Sequence, residues 1–402
     1  MYPARTTLLR RELARALPAR PFRIELWDGS AVAPTLPPRG PTFSLRSPHA
    51  IAHLLRAPGQ LGLVRAHVSG ELEIDDLDAV LALLDGWSPP PIEARQRAKL
   101  ALAAAWAIGP TRPPRAPASE LVPRGERHTQ ERDARAVRHH YDVPPAFFAL
   151  FLDESMTYSC GIFSRGASTL EEAQEAKLEL VCRKLGLAPG ERVLDVGCGW
   201  GSFALHAAAR HGVRVTGITL SEPQARLARE RARSAGLADR VEIRVADYRE
   251  LAGERYDAVA SIGMVEHVGE ERLDDYGRHL AGVLAPGGRL LNHGIARLRP
   301  GGGEAGAFSE RYVFPDASPP HLSRALLALE RAGFVIEHVE GFAEDYAETL
   351  RHWAQRLDDR LDEARGLAGE ERVRVWRLYL RGARHGFESG FTSIYQTRCR
   401  LA

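Results

Sequence analysis

A chain of 402 residues with 44% hydrophobic content can bury a full core and, at ordinary domain sizes, can hold two or three domains. Its net charge of +2 excludes a global electrostatic demand for nucleic acid, and the predominance of arginine over Lys99, Lys177 and Lys184 reads as genome composition rather than a phosphate-binding device. Four cysteines, Cys160, Cys182, Cys198 and Cys399, lie far apart with no C-x-x-C pair, so neither a disulfide framework nor a metal site is expected.

Met1 to Arg20 mixes Arg5, Arg10, Arg11, Glu12 and Arg15 with leucines and has no uninterrupted apolar stretch, so no secretory signal is expected. No segment reaches membrane-span length; Leu100 to Ile108, the most apolar stretch, is expected on a surface or in a core. A cytoplasmic protein is the expectation.

Residues 1–90 are expected to form a small α+β domain. Phe22, Ile24 and Leu26 alternate with Arg23 and Glu25 before Asp28-Gly29, a strand entering a turn, and Thr42 to Leu45 is a partner strand. Helical spacing follows at Ile51, Leu54 and Leu55, at Leu63, Val64 and Val68, and at Leu77, Val80, Leu81 and Leu84. Residues 91–137 are rich in proline and arginine and read as an exposed linker. Residues 138–402 read as the catalytic domain. There the order becomes strand, glycine turn, helix, repeated, with strands at Arg192–Val196, Val213–Thr219, Val241–Val245, Ala258–Gly263 and Arg289–Ile295. This predicts a Rossmann-like doubly wound parallel sheet. Gly333–Val339 and Phe391–Leu401 are expected to close it as a strand pair, with helices at Tyr346–Arg365 and Glu370–Gly386 inserted between them.

Asp195-Val196-Gly197-Cys198-Gly199-Trp200-Gly201 follows the apolar strand Val193-Leu194 and opens a helix at Ser202. Gly197, Gly199 and Gly201 allow a tight turn and close approach of backbone to a ligand, and Asp195 offers a negative partner for a cationic group. S-adenosylmethionine carries a sulfonium and an ammonium. A dinucleotide fingerprint would read G-x-G-x-x-G, which is a different spacing. Asp247-Tyr248, ending the third strand, is placed for the adenine edge and face. Leu284 to Arg289 supplies the turn into the fifth strand, and at the second strand Thr219 and Gln224 stand where an acid usually binds ribose. Taken alone, such a loop is also a strand-to-helix turn of other α/β enzymes; the later features resemble those of class I methyltransferases, and that fold, with inserted helices, is the expectation.

Four motifs add a family resemblance over residues 20 to 400: His140-Tyr141-Asp142 with Phe147-Phe148, Met156-Thr157-Tyr158-Ser159-Cys160, Gly217 to Gln224, and Gly263-Met264-Val265-Glu266-His267-Val268-Gly269. Asn292-His293-Gly294-Ile295, Arg311 to Pro315, Tyr346 before Thr349-Leu350, and Phe387 to Gln396 agree as well. The chain resembles the cyclopropane fatty acid synthases and their mycolic acid methyltransferase relatives. That resemblance implies methyl transfer from S-adenosylmethionine to the cis double bond of an unsaturated phospholipid acyl chain at the inner membrane face, closing a cyclopropane ring. It also implies a bicarbonate base held by Glu266, His293 and Tyr346 with the backbones of Cys160 and Ile295. Tyr158, Ser159, Gly197, Gly199, Thr219, Gln224 and Asp247 map to cofactor contacts. A hydride shift before the proton is lost would instead leave a methylene branch for a partner reductase, and a homodimer is the family-level expectation.

Blander readings stand beside these. Cys160 is a small buried side chain rather than a nucleophile, since it has no basic neighbour in sequence. Glu266-His267 alone is an ordinary loop pair, His139-His140 lacks a third ligand and reads as a substrate-lid helix end, and Trp353 and Trp376 read as core or acyl-tunnel lining. A small-molecule methyltransferase would show a charged acceptor pocket instead of an apolar one, and a noncatalytic binding protein would lack Glu266 or an intact glycine loop.

Overall fold

The computed structural model describes residues 3–122, 125, 127–129, 131, 132, 135, 143–251, 253–298 and 306–402. The His139 to Asp142 motif and most of the glycine-rich loop after Pro300 lie outside these residues. The chain forms two compact units: Met1–Leu121 with Gly306–Tyr312 and Ala368–Gly382, and Val122–Ala305 with Val313–Leu367 and Ala383–Ala402.

The first unit opens with helix α1 (Pro3–Ala16) and a four-stranded sheet of β1 (Arg23–Glu25), β2 (Ala31–Val32), β3 (Thr42–Leu45) and β4 (Leu72–Ile74), in the order β2-β1-β3-β4. The expected partner strand is indeed paired with β1, and the pairing is parallel. Helices α2 (Pro48–Arg56), α3 (Gln60–Val68) and α4 (Leu77–Gly86) follow the apolar spacing in the sequence; Ser47 and Asp76 cap α2 and α4 through their side chains.

The linker expected over residues 91–137 requires correction. A 15-residue helix, α5 (Ala94–Ile108), begins inside it and buries Ala103, Ala104 and Ala107, two of which join the core cluster with Leu9 of α1. Alanine is the best helix former, and an alanine face lets two helices approach closely; the proline-rich flanks hide this in a composition scan. Residues 368–382 and 306–312 also belong to this unit rather than to the catalytic domain. Arg374 pairs with Glu73 and donates to His67 O at 3.3 Å, Arg381 pairs with Asp78 at 3.1 Å, and the Tyr312 hydroxyl donates to Glu120 at 3.0 Å.

The second unit is built on a seven-stranded sheet, β10-β11-β9-β8-β5-β6-β7. Its strands are β5 (Arg192–Val196), β6 (Arg214–Thr219), β7 (Val241–Val245), β8 (Tyr256–Ile262), β9 (Leu284–Ala296), β10 (Phe334–Gly341) and β11 (Ser393–Leu401). β5 to β9 run parallel and β11 is antiparallel to both its neighbours. The chain order reverses between β5 and β8, the place where ligands sit outside the carboxyl ends of strands in such sheets. This is a class I methyltransferase fold. Helices α6 (Pro145–Phe148), α7 (Leu170–Leu185), α8 (Ser202–His211), α9 (Glu222–Ser234), α10 (Val265–Val268), α11 (Leu273–Gly282), α12 (Leu322–Arg331), α13 (Ala343–Asp358) and α14 (Leu361–Glu388) accompany it, α14 being broken by non-helical backbone at Gly369. The stretch read as a turn before the fifth strand is instead part of β9. Its register against β8 jumps from Tyr256 opposite Leu284 to Ala258 opposite Arg289, so Ala285 to Gly288 bulges out.

The core on one face gathers Val181, Leu185, Phe203, Ala207 and Ala228; the other gathers Tyr256, Val259, Tyr276, Leu280 and Leu329. Both faces are covered, which is why the parallel strands read as apolar runs rather than alternating ones.

Candidate active site

A cavity of about 420 Å³ opens at the carboxyl ends of β5, β6 and β8. Val193 to Val196 are buried, and the chain then turns through Gly197 (φ +77°), Gly199 (φ +53°) and Gly201 (φ +84°) into α8. The three glycines do different work. A Cβ on Gly197 would stand 2.6 Å from the Met264 sulfur, so side-chain-free backbone is needed where the loop crosses Met264. A Cβ on Gly199 meets nothing within 4 Å. Gly201 is not among the cavity-lining residues; a Cβ there would press on Ala228 of α9 at 3.2 Å, so its lack of a side chain serves helix packing.

Tyr158, Ser159, Asp195, Gly197, Gly199, Thr219, Gln224, Asp247 and Tyr248 all line the cavity. Tyr158 and Ser159 reach it because their segment is pinned on both sides. Asp153 accepts from the Thr157 N–H at 2.9 Å, Gln174 donates to Ser159 O at 2.8 Å, Gly161 N donates to Thr349 at 3.0 Å, and Asp345 takes the N–H groups of Phe163 and Ser164. Met156 at the start of this segment has φ +57°, a left-handed conformation unusual for a side-chain-bearing residue, and it too lines the cavity. The Thr219 hydroxyl donates to Gln224 Oε1 at 2.7 Å, a polar pair at the end of β6. Asp247 caps the following turn and is held by Arg249 at 2.6 Å, while the Tyr248 ring packs edge-on against Tyr276 and His279.

Asp195 is 2% exposed, its Oδ2 has no hydrogen-bond partner, and burial pushes its carboxyl up to about 7 against the pull of Lys177. A carboxylate buried with an orphaned oxygen, above a glycine cradle, fits a ligand bearing a cationic group. Lys177, passed over in the sequence, also lines the cavity; it is fully buried and donates to Ser159 Oγ at 2.9 Å.

Glu266, His293, Tyr346, Cys160 and Ile295 are not among the cavity-lining residues. Glu266 is on α10 and is 7% exposed; burial raises its carboxyl to about 7, opposed by hydrogen bonds from its own backbone and that of Ile295. The Ile295 backbone thus serves Glu266 directly. A Cβ on Gly294 would lie 3.0 Å from Glu266 Oε2, which sets the carboxyl against β9 at Gly294. His293 is fully buried, and burial with the charges of Lys177 and Lys184 holds it neutral. The Gln396 amide lies 3.3 Å from His293 Nδ1 and donates to it, leaving the ring proton on Nε2. Neither His293 Nε2 nor Glu266 Oε2 has a hydrogen-bond partner. Tyr346, in the first turn of α13, stacks 4.7 Å from Phe387; Phe342, one turn earlier, approaches the His293 ring at 6.4 Å and accepts through its carbonyl from the Cys160 thiol at 3.8 Å. Burial pushes the Cys160 thiol well above its usual range, so it is no thiolate nucleophile.

A line of aromatic rings runs from the cavity to Tyr346. Phe148 lies 4.8 Å from Trp200 and 5.7 Å from Tyr158, Tyr158 lies 5.2 Å from Trp353, and Trp353 lies 6.1 Å from Tyr346. Trp376, in the first unit, is buried core.

No metal was expected, and Cys182, His206 and His211 nevertheless bring possible ligand atoms within 4.8 Å of one another, away from the cavity. Two helices supply them, which no linear spacing reveals. Glu179 closes the group, accepting from His211 at 3.0 Å, and burial raises the Cys182 thiol to about 12.

A doubly wound sheet with this cradle defines an S-adenosylmethionine-dependent methyltransferase. The model of the mycolic acid cyclopropane synthetase family matches residues 128–397, and the chain belongs to that family. It is 37% identical to a "Probable fatty acid methyltransferase" of Pseudomonas putida over 94% of this chain and 91% of that protein. It is 32% identical to the "Tuberculostearic acid methyltransferase UfaA1" of Mycobacterium tuberculosis over 98% of this chain and 91% of that one. The crystal structure of mycolic acid cyclopropane synthase CmaA1 complexed with S-adenosylhomocysteine and CTAB superposes with a TM-score of 0.63, at 33% identity, covering 66% of this chain and 98% of that one.

Proposed function

We propose that the protein methylates the cis double bond of an unsaturated acyl chain in a membrane phospholipid. The observation carrying this reading is a line of aromatic rings, Phe148, Tyr158, Trp353 and Tyr346, that begins at the cofactor cavity, together with two buried unsatisfied groups, Glu266 Oε2 and His293 Nε2. An alkene is a weak nucleophile that offers no hydrogen bond, so its site needs apolar walls, exclusion of water and precise alignment. Phe148, Tyr158, Trp200, Trp353 and Tyr346 supply such walls, and their faces stabilise the positive charge that develops on the chain. When bound, S-adenosylmethionine supplies an electrophilic methyl group on a sulfonium.

A proton must then leave the alkylated chain. The donors and acceptor present fit a small oxyanion: His293 presents an Nε2–H, Tyr346 a hydroxyl, and Glu266 a carboxyl that holds or releases a proton near neutrality. A bicarbonate held there, with the Cys160 backbone completing the ring of contacts, would supply the base. Proton loss from the new methyl group closes a cyclopropane.

A second reading is favoured by one observation. Two relatives that match 94% and 98% of this chain are named a probable fatty acid methyltransferase and a tuberculostearic acid methyltransferase, whereas cyclopropane mycolic acid synthase 2 of Mycobacterium bovis matches only 65% of it. A hydride shift that moves the cation onto the methyl-bearing carbon, followed by proton loss from the methyl group, would leave a methylene branch, which a partner reductase converts to a methyl branch.

Substrate is drawn from a bilayer face in either case. No helix among the described residues is long and apolar enough to cross a membrane. Helix α5 exposes Leu102 and Trp106 on one face, with Arg95 and Lys99 toward its N-terminus, the make-up of an interfacial helix on anionic lipid. The test supplies purified protein and S-adenosylmethionine to vesicles of phosphatidylglycerol carrying either oleoyl or stearoyl chains. A gain of one CH₂ in the oleoyl chains alone supports the reading, and ozonolysis then separates ring from branch. No gain in either lipid rejects it.

A further inference from the structure

We propose that Lys177 takes the carboxylate of the cofactor's amino-acid arm, completing a split charge clamp with Asp195, the partner already placed for the ammonium. The inference concerns the cofactor alone and stands whether or not the acceptor is an acyl chain.

Lys177 is a costly residue where it sits. It lies on α7 with 1% exposure, in the cavity wall. An ammonium taken out of water is retained only where a partner compensates it. Its hydrogen bond goes to the Ser159 hydroxyl, a neutral acceptor, at 2.9 Å, and an ammonium has three protons to give. Asp195 and Asp153 are felt at its nitrogen, yet no ion pair joins Lys177 to either carboxylate. A methionine or leucine would pack on this helix face at far lower cost.

Asp195 presents the complementary deficit. It stands at the end of β5 with 2% exposure, takes the Ala204 N–H, and keeps Oδ2 without a partner. Two opposite charges thus face the same cavity, each short of a partner and not in contact with one another. The molecule that completes both is a zwitterion with a carboxylate and an ammonium on one carbon, as in the α-amino acid end of S-adenosylmethionine and S-adenosylhomocysteine. Ser159 fits the same scheme: its oxygen accepts from Lys177, so its own O–H is free to donate to the carboxylate that Lys177 attracts. Burial draws Lys177 down to about 8 and Asp195 up to about 7, the direction expected of two charged groups awaiting a partner.

The experiment is titration calorimetry with three probes: S-adenosylhomocysteine, its decarboxylated analogue, which keeps the ammonium, and 5′-methylthioadenosine, which lacks the arm. Wild type should prefer S-adenosylhomocysteine to the decarboxylated analogue by on the order of tenfold or more. In Lys177→Met that preference collapses while the affinity for 5′-methylthioadenosine is unchanged. Asp195→Asn weakens both arm-bearing probes and again spares 5′-methylthioadenosine. Lys177→Gln, which keeps the hydrogen bond to Ser159, serves as the second variant should Lys177→Met fail to fold, and it should lose the preference likewise. Equal wild-type affinity for the carboxylated and decarboxylated probes overturns the clamp. So does a uniform loss for all three probes in the lysine variants, since that is the signature of a packing role.

Discussion

Gln396 faces His293 across the β11–β9 ladder, and its side-chain amide donates to His293 Nδ1 at 3.3 Å. This contact decides what the buried imidazole offers. With Nδ1 accepting, Nε2 carries the proton and can only donate, which suits an oxyanion. Gln396→Leu should therefore fold, retain S-adenosylhomocysteine affinity, and lose roughly ten- to a hundredfold in kcat, the usual scale for removing a group that orients a catalytic side chain. Single-turnover rates with cofactor saturating check this; an unchanged rate would show that the His293 tautomer is set elsewhere.

The Glu266 carboxyl gives a stability signature with a definite sign. Its pKa in the folded protein is raised from 4.5 to about 7, because burial penalises the charged form. Between those values the native state binds more protons than the unfolded chain, so stability falls as pH rises and the full cost is present above about 7. Glu266→Gln removes that cost. Its melting temperature should equal wild type near pH 4.5 and exceed it near pH 8, while activity is lost at both. Melting curves at the two pH values check the prediction, and a variant less stable at pH 8 would contradict it.

Glycine substitutions separate cradle from packing. Gly197→Ala drives a Cβ to 2.6 Å from Met264 Sδ at a positive φ, and Gly294→Ala drives one into Val265 Cγ1. Each should cost about 1–3 kcal/mol by overpacking, Gly197→Ala with loss of cofactor affinity and Gly294→Ala with loss of turnover. Denaturant unfolding and S-adenosylhomocysteine titration distinguish them.

The Cys160 thiol, fully buried and raised well above its usual range, should resist iodoacetamide in the native state. Cys160→Ala should keep most of the activity, because only the backbone of this residue is asked to contribute. Steady-state rates and intact-mass measurement after alkylation check both statements.

The parallel strands were legible because each is an apolar run ended by a glycine or polar turn, and β5 and β7 fall on the residues expected. Helix α5 was not, because its alanine face sits between prolines and arginines that dominate local composition. Asp195, Glu266 and His293 were legible through their motifs, and burial supplies their chemistry. Lys177 was hidden because one lysine on an amphipathic helix looks like any solvated lysine until the fold buries it. The role of Gln396 was hidden because it depends on which residue of β9 lies opposite, a register fixed only by the closed sheet.

The central claim is that the buried pair Glu266 and His293 serves alkylation of a lipid double bond. Its most direct test is mass spectrometry of the lipids of a host rich in monounsaturated phospholipid, expressing either wild type or Glu266→Gln. The account predicts one added CH₂ per olefinic chain with wild type and none with a variant that still binds S-adenosylhomocysteine. Unmodified lipids with the folded, cofactor-binding wild type would contradict it.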